Sequence, residues 1–289
     1  MRFTKMHGIG NDYIFVNGFE TPAVEASDLA RLARELSDRH FGVGGDGLIL
    51  VLRPEHHVQT PNGAGADLRM RMFNADGSEA EMCGNGIRCA CKFARDHGVT
   101  EANPMRIQTG AGLLSLTYVV NGHGKVEQVT VDMGSPTLDP ARIPVNITSL
   151  SQIVNHPSLW AFDHWADKCK LDRHMTCVSM GNPHVVFFCA DVTAVPLEQV
   201  GPQIECHSVF PRRTNVHFVQ VQDRAEAIMR TWERGSGITL ACGTGASAAC
   251  VAGMLTARTD REILMHLPGG DLTVEWREAD QHVYLTGPA

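Results

Sequence analysis

The stretch AEMCGNGIRCACKFARDHG, residues 80–98, sets a cysteine directly before a Gly-Asn-Gly turn and continues with Ile87, Ala90, Cys91 and Ala94 at helical spacing. The pattern predicts a helix that begins on a thiol. Backbone N–H groups at a helix N-terminus lack intrahelical partners and the macrodipole is positive there, so both favour a thiolate. Moving a thiol from about 8.5 to near 7 requires about 2 kcal/mol, whereas a helix terminus supplies typically about 0.3–1 and at best about 2 kcal/mol. One helix start is marginal, so a base or further donors are needed beside the sulfur. The glycines let an anion approach the N–H groups closely, and a substrate carboxylate is the obvious one.

The same arrangement occurs twice. RMFNADGSEAEMCGNG (71–86) is matched by RTWERGSGITLACGTG (230–245), with Phe73 to Trp232 and Cys83 to Cys242 both separated by 159 positions. Ala246, Ala249, Cys250 and Gly253 then repeat the helical spacing. A fainter match pairs GNDYIFV (10–16) with GNPHVVFF (181–188) at an offset of 171, so the first half carries about a dozen extra residues, placed in the polar loop 53–67. Two similar halves, each offering one thiol at a helix start, imply a pseudo-symmetric pair of lobes facing across a cleft.

Around these motifs, strands are expected at FTKMH, YIFVN, GLILVL and RMRMF, with Met70 and Met72 on the inward face of the last. Ser27 is read as the cap of a helix carrying Leu29, Leu32, Ala33 and Leu36. GLLSLTYVV and KVEQVTVDM flank Asn121-Gly122-His123-Gly124 as a hairpin, and the Pro-punctuated GSPTLDPARIPVN reads as a linker to a second domain. That domain is expected to hold HVVFFCA, a helical LEQVGPQIE, NVHFVQVQ, EAIMRTWE, a further helix and a closing meander.

The 289 residues suffice for one large domain or two smaller ones. Their 43% hydrophobic and 20% charged content is ordinary for a globular chain, and a formal charge of -7 argues against binding a phosphate backbone. The first residues contain no apolar run of signal-peptide length and no later run suits a membrane span, so a cytoplasmic protein with neither nucleic-acid nor membrane partners is expected. Nine scattered cysteines fit reduced thiols, most of them small buried hydrophobes. No Cys-x-x-Cys is present, and Cys89 and Cys91 point to different helix faces, so no metal site is expected. GVGGDG (42–47) follows a helix and precedes a strand, the reverse of a dinucleotide fingerprint, and reads as a loop. His56 and His57 read as solvated loop residues.

Two acid–base groups from opposite lobes suit removal of a proton from one face of a carbon and return of one to the other, that is, racemisation or epimerisation. Two nearby thiolates repel, so the singly ionised pair is favoured. The helix ends would stabilise the charge that a substrate carboxylate gains when its α proton leaves, and no cofactor is required.

KMHGIGNDYIFV (5–16), FNADGSEAEMCGNGIRC (73–89), SMGNPHVVF (179–187), TNVHFVQV (214–221), WERGSGITLACGTGASA (232–248) and VYLTGPA (283–289) correspond in order to segments of the diaminopimelate epimerase family, which the chain resembles over nearly its whole length. The resemblance implies an α+β fold of two pseudo-symmetric lobes, each a curved, mostly antiparallel sheet wrapped around a central helix. Residues 1–131 would form the lobe carrying Cys83, residues 132–277 the lobe carrying Cys242, and residues 278–289 a strand returning to the first lobe. It implies pyridoxal-independent interconversion of LL- and meso-2,6-diaminopimelate, an isomerase step of lysine and peptidoglycan precursor synthesis. Cys83 and Cys242 would be the acid–base residues, with His184 and Glu233 tuning their pKa values. Gly84, Asn85, Gly243 and Thr244 would hold the reacting carboxylate, while Asn11, Asn74, Asn182, Asn215, Glu233 and Arg234 would contact the rest of the substrate. Gly47 stands where some family members place a substrate-touching glutamine, so no contact is expected there. Tyr284 aligns with a position at the family's homodimer interface. A proline or hydroxyproline racemase relative, a phenazine-type isomerase relative and a non-catalytic amino-acid-binding protein of the same fold are the alternatives; the thiol pair speaks against the phenazine type.

Overall fold

The helix expected after Cys83 spans Gly84–Asp96 in the computed structural model, which describes residues 1–26, 28–55, 65–147, 150–160, 162 and 164–289. Its counterpart after Cys242 spans Gly243–Leu255. Every residue from Gly84 to Cys91 and from Gly245 to Gly253 is buried, which suits a helix only when protein surrounds it on all sides. The small residues of GASAACVAG let strands approach closely all round.

One compact unit comprises Met1–Asp132 with Thr286–Ala289. It contains β1 (Thr4–Gly8), β2 (Asn11–Asn17), α1 (Leu29–Ser37), β3 (Gly47–Leu52), β4 (Leu68–Asn74), β5 (Glu79–Ala80), α2 (Gly84–Asp96), β6 (Met105–Thr109), β7 (Gly112–Val120) and β8 (Val126–Asp132). The second unit, Met133–Leu285, contains β9 (His156–Pro157), α3 (Trp165–Lys168), β10 (His174–Ser179), β11 (Pro183–Phe188), α4 (Leu197–Glu205), β12 (Asn215–Asp223), β13 (Glu226–Glu233), β14 (Gly237–Thr239), α5 (Gly243–Leu255), β15 (Glu262–Leu267) and β16 (Gly270–Trp276). The last strand, β17 (Val283–Pro288), begins in the second unit and ends in the first.

Both units build their sheet by the same succession of pairings. In the first, β1 and β2 are antiparallel, β2 runs parallel to β3, β3 antiparallel to β4, β4 antiparallel to β5 and parallel to β6, and β6 antiparallel to β7. In the second, β10, β11, β12, β13, β14, β15 and β16 repeat that order and those directions. Within its own unit, α2 packs against β1, β2, β3, β7 and β8, and α5 against β10, β11, β12, β15 and β16. The fold is α+β, with a mostly antiparallel sheet around a central helix in each unit.

Paired positions locate the extra residues of the first unit. Tyr13 to His184 is 171 positions, Gly47 to Asn215 is 168, and Phe73 to Trp232 is 159. Three of the extra residues therefore lie between β2 and β3, and the loop 53–67 accounts for nine rather than all. The difference at that loop arises because β12 and β13 join through a tight turn at Asp223 and Glu226, whereas β3 and β4 do not.

GLILVL is buried at every position, as a strand flanked on both edges and covered on both faces must be. Leu29 and Ala33 of α1, with Leu32 and Leu36 beside them, pack on Ile14, Val16, Leu48, Leu50 and Phe73. Asp28 caps this helix, its carboxylate accepting from Arg31 N at 3.0 Å; Ser27, the expected cap, lies outside the described residues, as do His56 and His57. The segment 134–146 is not a free linker. Ile143 and Val145 enter the core of the second unit, and Thr137 bridges to Ser179. Burial of apolar side chains outweighed the punctuation that its prolines suggested. No helix among the described residues is long and apolar enough to cross a membrane.

Candidate active site

In the first unit, Cys83 is the N-cap of α2, with extended backbone at φ -138° and ψ 121°. Gly86 N donates to its sulfur at 3.4 Å, so an otherwise unpaired helix-start N–H meets the thiol. Tyr13 Oη lies 3.2 Å from the same sulfur. Neighbouring polar groups are tightly arranged: Asn85 Nδ2 donates to Asn11 Oδ1 at 2.6 Å, and Asn11 Nδ2 donates to Asp46 Oδ2 at 3.2 Å. Beneath them the fully buried Arg88 donates to Gly84 O at 2.9 Å, Asn85 Oδ1 at 3.0 Å and Pro288 O at 3.2 Å. Asn74 sits apart from this network, its amide donating to Ser78 Oγ at 3.0 Å within the turn after β4. A Cβ at Gly47 would lie 2.3 Å from Phe73 O, so a side chain there would require the backbone of β4 to shift.

In the second unit, Cys242 is the extended N-cap of α5 and is 5% exposed. Its thiol hydrogen-bonds the carboxyl of Glu233, and Thr239 Oγ1 donates to Glu233 Oε1 at 2.6 Å. Burial raises the pKa of Glu233 above its ordinary 4.5 against the opposing effect of those two bonds. The residue keeps some surface exposed, yet its carboxyl is enclosed. Thr244 Oγ1 lies 3.7 Å from Cys242 Sγ and accepts from Asn182 Nδ2 at 3.4 Å. Asn182 Oδ1 meets His184 Nε2 at 2.8 Å, and His184 Nδ1 meets His217 Nε2 at 2.9 Å. Burial holds both imidazoles neutral: His184 well below 6.5, with His217 and Arg234 adding to the effect, and His217 at about 3. Asn215 commits both ends of its amide to backbone, donating to Pro183 O at 2.9 Å and accepting from Arg234 N at 2.9 Å.

Burial pushes Cys89, Cys91, Cys189 and Cys250 up to about 12 and Cys177 higher still, so these stay thiols at neutral pH. Among the expected site residues, Cys83, Gly84, Asn85 and Asn11 gather in one unit, and Cys242, Gly243, Thr244, Glu233, Asn182 and His184 in the other. Tyr13, Arg88, Asp46, His217 and Thr239 join them unforeseen. Tyr13 and His217 occupy positions in strands that read as core, and only the meeting of strand with helix start gives them polar work.

The diaminopimelate epimerase family model matches residues 3–138 and 176–289. The chain belongs to this family. It is 48% identical over 289 residues to the diaminopimelate epimerase of Moorella thermoacetica, covering 100% of this chain and 96% of that one. It is 47% identical to the diaminopimelate epimerase of Methanococcus maripaludis (strain S2), with the same coverage of 100% and 96%. Solved structures of similar fold include a hydroxyproline epimerase from Agrobacterium vitis (TM-score 0.60, 16% identity, covering 100% of this chain and 90% of that one). A phenazine biosynthesis protein of the PhzF family from Bacillus anthracis has a TM-score of 0.62 at 18% identity, covering 99% and 93%. Diaminopimelate epimerase relatives thus share the full length of the chain, and the two more distant structures share its fold.

Proposed function

We propose that this chain is an isomerase that interconverts LL- and meso-2,6-diaminopimelate without a cofactor, with Cys83 and Cys242 as its two acid–base groups. The observation that carries this reading is a thiol at the N-cap of the central helix in each unit, on a chain 48% identical over its length to a relative named for that activity.

One cysteine, as thiolate, takes the α proton: the C–H bond breaks, an S–H bond forms, and the electron pair passes into the substrate carboxylate system. The other cysteine, as thiol, returns a proton to the opposite face, so its S–H bond breaks as the new C–H bond forms. Each turnover leaves the two sulfurs with exchanged protonation. Helix-start N–H groups at Gly84, Asn85, Gly243 and Thr244 hold the carboxylate as it gains charge. Glu233, hydrogen-bonded to Cys242, and His184, linked to it through Asn182 and Thr244, tune its proton affinity. Asn11, Asn74, Asn182, Asn215, Glu233 and Arg234 contact the remainder of the substrate, and Asn215 also fixes the backbone of Arg234. The same reading makes the enzyme a cytoplasmic homodimer with Tyr284 at the interface.

The test follows solvent deuterium into the α position of LL-diaminopimelate in wild type, Cys83→Ala and Cys242→Ala. Loss of one acid–base group is expected to slow conversion to meso product by about 10²–10⁴-fold. Conversion and exchange unaffected by either change would contradict the assignment.

A further inference from the structure

His217 is fully buried on β12 beneath the first turn of α5, where a Cβ on Gly245 would lie 2.3 Å from its Cε1. The equivalent position in the first unit is Ile49, against Gly86, so the fold accepts an apolar side chain here. An imidazole at that place therefore needs a reason beyond filling space.

Its hydrogen bonds supply one. Thr231 Oγ1 lies 2.9 Å from His217 Nδ1, and the threonine is 3% exposed. Among the described residues this hydroxyl meets no other hydrogen-bond partner, so if it accepted a proton from His217 its own would be buried without an acceptor. Thr231 accordingly donates to His217 Nδ1. A neutral imidazole carries one N–H, so His217 donates from Nε2 to His184 Nδ1, and His184 donates from Nε2 to Asn182 Oδ1. Asn182 is thereby turned with Nδ2 toward Thr244, whose oxygen accepts and whose own proton is left to point at Cys242 Sγ.

We propose that His217 is a positioning residue for Cys242: its Nε2–H fixes the tautomer of His184 and, through Asn182, directs the Thr244 hydroxyl proton onto the sulfur. The role of Cys242 comes from the epimerase reading; the direction of the proton chain does not. Other titratable or charged groups about this chain are Glu233, bonded to Cys242, and Arg234, whose charge acts on His184.

The ¹⁵N spectrum of the imidazoles in the wild-type protein tests the chain directly. Both rings are expected neutral with the proton on Nε2 between pH 6 and 9, and a proton on Nδ1 of either would overturn the proposal whatever the protein catalyses. In the epimerase assay, His217→Ile is expected to move the acid limb of kcat/KM upward by about one pH unit with KM little changed. His217→Gln, which keeps an N–H donor, should leave the limb in place. Because His217 acts through Thr244, the His217→Ile/Thr244→Val double variant should shift the limb no further than Thr244→Val alone. An unshifted limb in His217→Ile, a shifted one in His217→Gln, or additive shifts in the double variant would each overturn it. Should His217→Ile fail to fold, the wild-type spectrum decides.

Discussion

Glu233 carries a conflict between burial, which favours its neutral form, and its bonds with Thr239 and Cys242, which favour the carboxylate; burial prevails. Its folded-state pKa lies above the ordinary 4.5, so the folded protein binds this proton more tightly than the unfolded chain. The group's contribution to stability is then fully present below 4.5 and is lost as pH rises through the raised value. Glu233→Gln keeps an acceptor for Thr239 and removes the charge. Its urea midpoint should match wild type near pH 4 and exceed it at pH 8, while conversion of diaminopimelate at pH 8 falls. A variant whose midpoint relative to wild type drops between pH 4 and pH 8 would show that burial does not dominate. On the two-thiol mechanism proposed above, a carboxylate with this leaning, bonded to Cys242, would share the proton that the thiol gains and loses.

At the level of elements, the two helix starts are built alike but packed differently. Alanine in a helix is favoured over glycine by up to about 1 kcal/mol, whereas overpacking a core costs about 1–3 kcal/mol, so the neighbour's freedom to move decides the sign. At Gly86 the nearest atom to an added Cβ is Ile49 Cδ1, at 2.8 Å, the free end of a flexible side chain. At Gly245 it is the His217 ring, within 2.9 Å at three atoms and held by hydrogen bonds at both nitrogens. Gly86→Ala should therefore change stability by less than about 0.5 kcal/mol, and Gly245→Ala should lose about 1–2 kcal/mol, read from denaturant melts. Equal losses would mean that His217 is not held. The elements themselves were legible from the sequence because their causes are local. LEQVGPQIE appears as the helix Leu197–Glu205 and GLILVL as the strand Gly47–Leu52, each where its pattern put it. Cys83 and Cys242 were legible for the same reason, since a cap is defined by its own next three residues. Tyr13 and His217 were not, because YIFV and NVHFV read as core strands and no periodicity tells which buried position faces a helix start.

Across the whole chain, each unit has its own core, and the polypeptide passes from one to the other after Asp132 and again after Leu285. The duplication could be read from the sequence because strand, turn, cysteine and helix recur at one offset; the membership of residues 134–146 could not, because Pro and Gly mark a change of direction whether or not the segment is packed. Thr286–Ala289 belongs to the first unit. Thr286 Oγ1 lies 2.8 Å from Thr130 Oγ1, and Pro288 O accepts from Arg88, which is buried completely and also braces Gly84 and Asn85 at the start of α2. A buried guanidinium that loses an acceptor forfeits about 1.5–3 kcal/mol, a large part of the roughly 5–15 kcal/mol that holds a domain folded. Deleting Thr286–Ala289 should therefore speed amide hydrogen exchange across Gly84–Asp96 and leave Gly243–Leu255 at its wild-type rate. Activity should fall with it, because the N–H groups that Arg88 braces are those assigned to the carboxylate beside Cys83. Equal acceleration in both helices would show that the chain end supports the molecule as one cooperative body, and no acceleration in either would show that Arg88 finds its third acceptor elsewhere.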